Sequence, residues 1–375
     1  MPTQLAHLQE MLRGAPLTDG HNDLPWAHRD AAGYDLDTLD IGRPQSALDT
    51  DLPRLRTGGV GAQFWSVFVP SSLPGDAAVT ATLEQIAFVR SMCVRYPDDL
   101  VLATCADDVD AAVRQGRIAS LMGMEGGHSI NGSLGVLEAM AALGVRYLTL
   151  THNDNVPWAD SATDDAVLNG LSGFGEQVVA RMNDLGVVVD LSHVSADVMR
   201  HALRVTRAPV MFSHSSARTV CDVPRNVPDD VLESLAGNGG VCMVTFVPMF
   251  VSPGAARWYV ECQQACRDRG LDPRRFADLD PVMSERAATD PPPDATIDDV
   301  VAHIEHVRDV AGIDAVGLGG DFDGTSFHTV GLEDVSTYPA LFATLSNRGW
   351  SRDDLTKLAG RNAVRVLRDT ENARA

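Results

Sequence analysis

Continuous apolar runs bounded by polar or turn residues recur along this chain, and stretches with apolar residues at helical spacing separate them. The runs predict buried strands at 15–17, 59–69, 117–124, 145–151, 187–192, 209–213, 240–246 and 315–320. The spacing predicts helices at 78–95, 135–143, 174–185, 229–236, 296–311 and 352–368, and one opening at Ser195, whose hydroxyl suits a cap. Eight strands alternating with helices, with no composition break that would mark a linker, predict an α/β fold. The expected form is one (β/α)8 TIM-type barrel domain over 1–375. A doubly wound open sheet would carry a glycine fingerprint after its first strand, and the chain has none there. The rhythm breaks once, after strand 7. Residues 248–295 read as long and irregular, with Trp258, Tyr259 and Pro291-Pro292-Pro293, and predict an insertion or lid over the active face.

Composition narrows the partners. The chain has 375 residues, 45% hydrophobic and 22% charged, with a formal charge of -21. That charge excludes nucleic acid and anionic membrane as main partners, and an acidic ligand would need a local Arg. Residues 1–20 show no basic start followed by an apolar run, no run of about 18 apolar residues occurs, and the last residues are polar. These features set the expectation of a cytoplasmic location with no membrane partner. The six cysteines are scattered and are expected to be free, Cys262 and Cys266 included.

The candidate chemistry stands at the ends of the predicted strands, which is the active face of such a barrel. His21 and Asp23 follow strand 1, Glu125 strand 3, His152 strand 4, His193 strand 5, His214 strand 6 and Asp321 strand 8. A lone histidine at a strand end is more often a cap or a solvated turn residue than a ligand. Seven such residues on one face are not independent. Two divalent ions need a bridging anion and two terminal ligand sets. Glu125 can bridge, His21 and Asp23 can complete one ion, and His193 and His214 the other. A water shared by the ions would be the nucleophile, Asp321 the proton shuttle, and His152 the group that polarises the scissile carbonyl.

The motifs that hold these residues are Asp-Gly-His-Asn-Asp-Leu-Pro-Trp (19–26), Glu-Gly-Gly-His-Ser-Ile (125–130) and Arg-Tyr-Leu-Thr-Leu-Thr-His (146–152). Asp-Leu-Ser-His-Val-Ser (190–195), Phe-Ser-His-Ser-Ser-Ala (212–217), Arg-Asn-Val-Pro-Asp-Asp (225–230) and Gly-Gly-Asp-Phe-Asp-Gly (319–324) follow. Together they resemble the membrane (renal) dipeptidase family, zinc dipeptidases of the metal-dependent amidohydrolase superfamily. The resemblance implies two zinc ions per chain bridged by Glu125, and a small dipeptide substrate whose C-terminal carboxylate Arg225 holds. It also implies tolerance of a D-residue at the C-terminal position. His128 and Asp323 lie inside the motifs and read as supporting residues. The chain departs from membrane-attached members in showing no secretion signal or anchor, and Asn153-Asp154 stand where vertebrate members carry a cysteine. A homodimer is left open. An amidohydrolase of N-acyl amino acids or lactams would use the same metal centre. A catalytically dead scaffold would be expected to lack a ligand or the shuttle, and none is missing.

Overall fold

The structure is a computed structural model and describes residues 11, 12 and 14–374; the reading of residues 1–20 therefore lies in part outside the described residues. Its strands are β1 (Leu17–Asn22), β2 (Val60–Phe68), β3 (Leu100–Leu102), β4 (Ile118–Glu125), β5 (Val145–Thr149), β6 (Val188–Asp190), β7 (Val210–Phe212), β8 (Val241–Val244) and β9 (Val316–Leu318). All pairings between these strands are parallel. β2 pairs with β4 on one side and β1 on the other, β1 pairs with β9, and β4 through β9 follow in order, so eight strands close a barrel. This is the (β/α)8 architecture expected from the alternation, with helices between strands.

β3 is outside the predicted set. It pairs only with the first residues of β4, beyond the closed ring, and three residues are too few to show a period. Helices Leu24–Ala32, Leu52–Gly58, Ala106–Arg114 and Tyr338–Asn347 were also unpredicted. Most ladders stop short of the predicted strand ends: β5 ends at Thr149, β6 at Asp190 and β9 at Leu318. Beyond them the backbone turns outward at the barrel mouth, with His193 and Asp321 in the left-handed region at φ 66° and 63°.

Residues 248–295 are not irregular, which corrects the sequence expectation. They hold helices Pro253–Asp268 and Phe276–Ala287, which bury Trp258, Cys262, Cys266, Leu279, Val282 and Met283 against one another. Pro281 inside the second helix and the Pro291–Pro293 run hid that periodicity. The six cysteines are free, as expected.

One helix among the described residues, Gly75–Arg95, is long and apolar enough to cross a membrane by length and composition, with mean hydropathy 1.2 over 18 residues. Its buried residues Ala78, Thr82, Ile86, Val89 and Met92 recur at helical spacing, and the helix packs on β2, β3 and β4. It is a wall helix of the barrel.

Candidate metal centre

Each predicted site residue is delivered by the local chain. Asp23 stands at the cap of helix Leu24–Ala32 but makes no capping bond. The Asn22 side chain accepts from the Leu24 N–H (2.9 Å) instead, so the Asp23 carboxylate is free to face the mouth. His21 lies inside β1 and is fully buried. Its Nδ1 meets the Tyr147 hydroxyl at 2.8 Å, and that hydroxyl donates to the Gly20 carbonyl at 3.2 Å. The His21 Nδ1–H therefore donates to Tyr147, and Nε2 is left bare. Tyr147 reaches across the barrel interior because β4 carries Gly123 there; a Cβ at Gly123 would fall 1.8 Å from the phenol ring.

His214 is oriented in a comparable way. Asp190, wholly buried, accepts from Thr149 Oγ1 (2.5 Å) and Ser213 Oγ (2.6 Å), and Ser213 Oγ lies 2.8 Å from His214 Nδ1. With its proton given to Asp190, the Ser213 hydroxyl accepts the Nδ1–H and leaves His214 Nε2 bare. Neither Tyr147 nor the Asp190–Ser213 pair was found in the sequence. The available signal was strand alternation, which turns residues 147 and 149 to the same face.

The bare nitrogens converge on Glu125, the last residue of β4. Its Oε1 lies 3.0 Å from His193 Nε2 and 3.4 Å from His214 Nε2. Its Oε2 lies 3.5 Å from His21 Nε2 and accepts from Ser66 Oγ at 3.1 Å. One carboxylate thus faces two sets of donors. His21 Nε2 is also 3.3 Å from Asp23 and 3.9 Å from Asp321, and His193 Nε2 is 2.9 Å from His214 Nε2. Among the described residues, three groups have potential ligand atoms within 4.8 Å of one another: His21–Glu125–His214, Glu125–His152–His193 and His21–Asp23–Asp321. These groups cut across the division drawn from the sequence, since His214 joins His21, and His152 stands beside His193.

Charge shows how the cluster is balanced. Burial works against a proton on His21, yet Tyr147, Glu125 and Asp23 hold its basicity well above the usual value. Burial, with Arg225 adding to it, pushes His193 and His214 well below theirs. Burial takes His152 down to about 4, and Arg225 and His128 add to it against the pull of Glu125. Glu125 is buried too, but His21 and His193 hold its carboxyl well below the usual range. Burial raises Asp321 to about 7, helped by Asp23 and Glu125 and opposed by His21 and Arg225. The imidazoles of His21, His152, His193 and His214, the last three held weakly basic, facing buried carboxylates form a donor set that suits divalent cations of the zinc type. His21 Nε2 has no hydrogen-bond partner, which fits a ligand atom.

The two aspartates of Gly-Gly-Asp-Phe-Asp-Gly separate by geometry. Asp323 accepts from the Asp49 N–H (2.7 Å), and its own N–H donates to Asp49, so it locks the loop around residue 49. Both line the cavity, but Asp321 lies 3.9 Å from His21 Nε2. His128 Nε2–H donates to the Val69 carbonyl at 2.9 Å and so holds the β2 exit.

Arg225 completes the wall. It is 4% exposed and forms no ion pair among the described residues. Its two terminal nitrogens reach Ser215 Oγ and the His214 carbonyl, both at 3.4 Å, its Nε has no partner, and Phe250 stacks 5.1 Å away. The cavity, about 540 Å³, also collects Asp23, Glu125, His152, His193, His214 and Asp321. A buried guanidinium without a carboxylate is costly unless a ligand supplies one.

The family model for membrane dipeptidase, peptidase family M19, matches residues 5–375. Dipeptidase 3 of Rattus norvegicus is 40% identical over 372 residues, covering 97% of this chain, and this chain spans about two thirds (67%) of its length. An uncharacterized dipeptidase of Schizosaccharomyces pombe is 42% identical over 385 residues, covering 99% of this chain and 84% of its own. The solved structure of the probable dipeptidase PvdM from Pseudomonas aeruginosa superimposes with a TM-score of 0.84 at 24% identity, covering 99% of both chains, and shows the shared fold.

The family and the dipeptidase 3 relatives correct the location expected from the sequence: they point to a membrane rather than the cytoplasm. The cytoplasmic expectation rested on missing leader and anchor signals, and a missing signal carries no information about where a chain resides. With the family model matching nearly the whole chain and the donor set in place, the chain belongs to the membrane dipeptidase family, metal-dependent hydrolases acting on peptide bonds.

Proposed function

We propose that this chain hydrolyses dipeptides at a binuclear zinc centre, within a single domain over 1–375 whose insertion at about 248–295 forms the roof of the site. One observation supports the reading: a buried guanidinium without a carboxylate partner shares a cavity with the imidazoles of His152, His193 and His214 and the carboxylates of Asp23, Glu125 and Asp321, with His21 buried beside them. Glu125, His21, Asp23, His193 and His214 are the residues that would hold the ions, with Glu125 facing imidazoles through both of its oxygens. When bound, the ions supply Lewis acidity toward the scissile carbonyl and toward an attacking water.

The chain's own residues do the rest. Arg225 grips the C-terminal carboxylate of the dipeptide with two parallel hydrogen bonds and fixes the register of the peptide bond. His152, neutral in its buried setting, donates a hydrogen bond to the carbonyl oxygen as negative charge develops on it. Asp321 takes the proton of the attacking water and returns it to the leaving amine. Tolerance of a D-residue at the C-terminal position rests on the family resemblance, and paired L,L and L,D dipeptides test it.

The metal count is tested by elemental analysis. Protein stripped of loose metal and restored with zinc is expected to hold close to two equivalents, and Glu125→Gln markedly less. One tightly held ion, with Glu125→Gln harmless to metal content, overturns the binuclear reading.

Tyr147→Phe removes the acceptor of the His21 Nδ1–H and is expected to weaken zinc about 10–100-fold. Competition with a chromophoric chelator measures this without reference to turnover. Unchanged affinity would show that the phenol only fills the barrel.

A further inference from the structure

Beside His152 the cavity wall is aromatic. Trp26 and Phe68 meet edge to face with ring centroids 5.2 Å apart, Phe68 lies 4.9 Å from the His152 ring, and Phe276 closes the row at 5.9 Å from His152 and 6.3 Å from Phe68. Phe276 comes from the insertion and keeps 46% of its surface exposed on the cavity lining. A large apolar ring held open at the mouth of a site is surface for a ligand to cover.

The ring is also pinned. Two residues before it, Arg274 pairs with Asp154 at 3.1 Å and with Asp164, both on the segment that follows His152, and with Asp272 at 3.0 Å. The Asn153 side chain donates to the Arg274 carbonyl at 3.0 Å. Behind it, Leu279, Val282 and Met283 anchor the helix in the insertion's own core. Phe276 therefore holds a set position relative to His152.

We infer that Phe276, Phe68 and Trp26 form the subsite for the side chain of the dipeptide's N-terminal residue, and that this subsite selects large apolar side chains. The inference rests on the dipeptidase reading above. The carbonyl that faces His152 belongs to the N-terminal residue, so the side chain on that residue is the one that meets the aromatic wall. The C-terminal residue lies with its carboxylate on Arg225, whose apolar neighbour is Phe250 on another part of the wall. Arg29, which lies over Trp26 at 4.3 Å, is paired with Asp30.

The test uses the full chain restored with zinc and compares kcat/KM on Leu-Gly, Gly-Leu and Gly-Gly. Wild type is expected to prefer Leu-Gly over Gly-Gly by roughly ten- to a hundredfold, the range an apolar pocket gives for a side chain of this size. Phe276→Ala is expected to lose about tenfold on Leu-Gly and to leave Gly-Gly and Gly-Leu near wild type. Phe276→Trp is expected to retain the preference. A loss shared equally by the three substrates, or one confined to Gly-Leu, overturns the subsite while leaving the dipeptidase reading intact. A wild type that cleaves none of the three overturns that reading and the subsite with it.

Discussion

Asp321→Asn is expected to cut turnover by roughly 10²–10⁴-fold while metal content stays near that of the wild type. The carboxylate stands on the cavity wall 3.9 Å from His21 Nε2, at the edge of the donor cluster. An amide there keeps the shape of the side chain but cannot accept the proton of the attacking water or return it to the leaving amine. The control is Asp323→Asn. Asp323 is committed to the loop at residue 49 through a 2.7 Å hydrogen bond, and burial with the Asp49 charge raises it to about 7. Its substitution is expected to cost stability before turnover. Steady-state rates with metal analysis on both variants decide the pair, and a large turnover loss in Asp323→Asn alone would reverse the assignment.

Arg225→Met is expected to lower kcat/KM on free dipeptides by roughly ten- to a few hundredfold. A charge-assisted hydrogen bond of this kind is worth about 1.5–3 kcal/mol, and more when its partner would otherwise be buried alone. Methionine fills similar space beside Phe250 without the charge, so packing is largely kept. On dipeptides with an amidated C-terminus the wild type is expected to be poor already and the variant little worse. Equal wild-type activity on free and amidated dipeptides would remove Arg225 from substrate binding, and with it the distinction from a general amidohydrolase.

The location of the chemistry was legible along the chain because a parallel barrel strand is a continuous apolar run, and the residue that ends it stands out. His21, Glu125, His152, His193, His214 and Asp321 were visible for that reason. Arg225 was not: it lies in a loop between prolines, where an arginine carries no periodic signal, and only the motif resemblance pointed to it. The insertion was misread for a different reason. Its two helices pack chiefly on each other, and Pro281 and the triple proline break the pattern that would have shown them.

By itself, then, the sequence determined the barrel, the face that carries the candidate ligands and the kinds of donor on it, since these follow from burial period and residue type. Tertiary structure alone decided which donors meet. It set the two oxygens of Glu125 toward different imidazoles, used Tyr147 and the Asp190–Ser213 pair to leave His21 and His214 with bare nitrogens, and separated Asp321 from Asp323. It also brought Phe276 over His152 from 124 residues further along the chain. Such contacts join residues far apart in sequence, and local spacing holds no record of them.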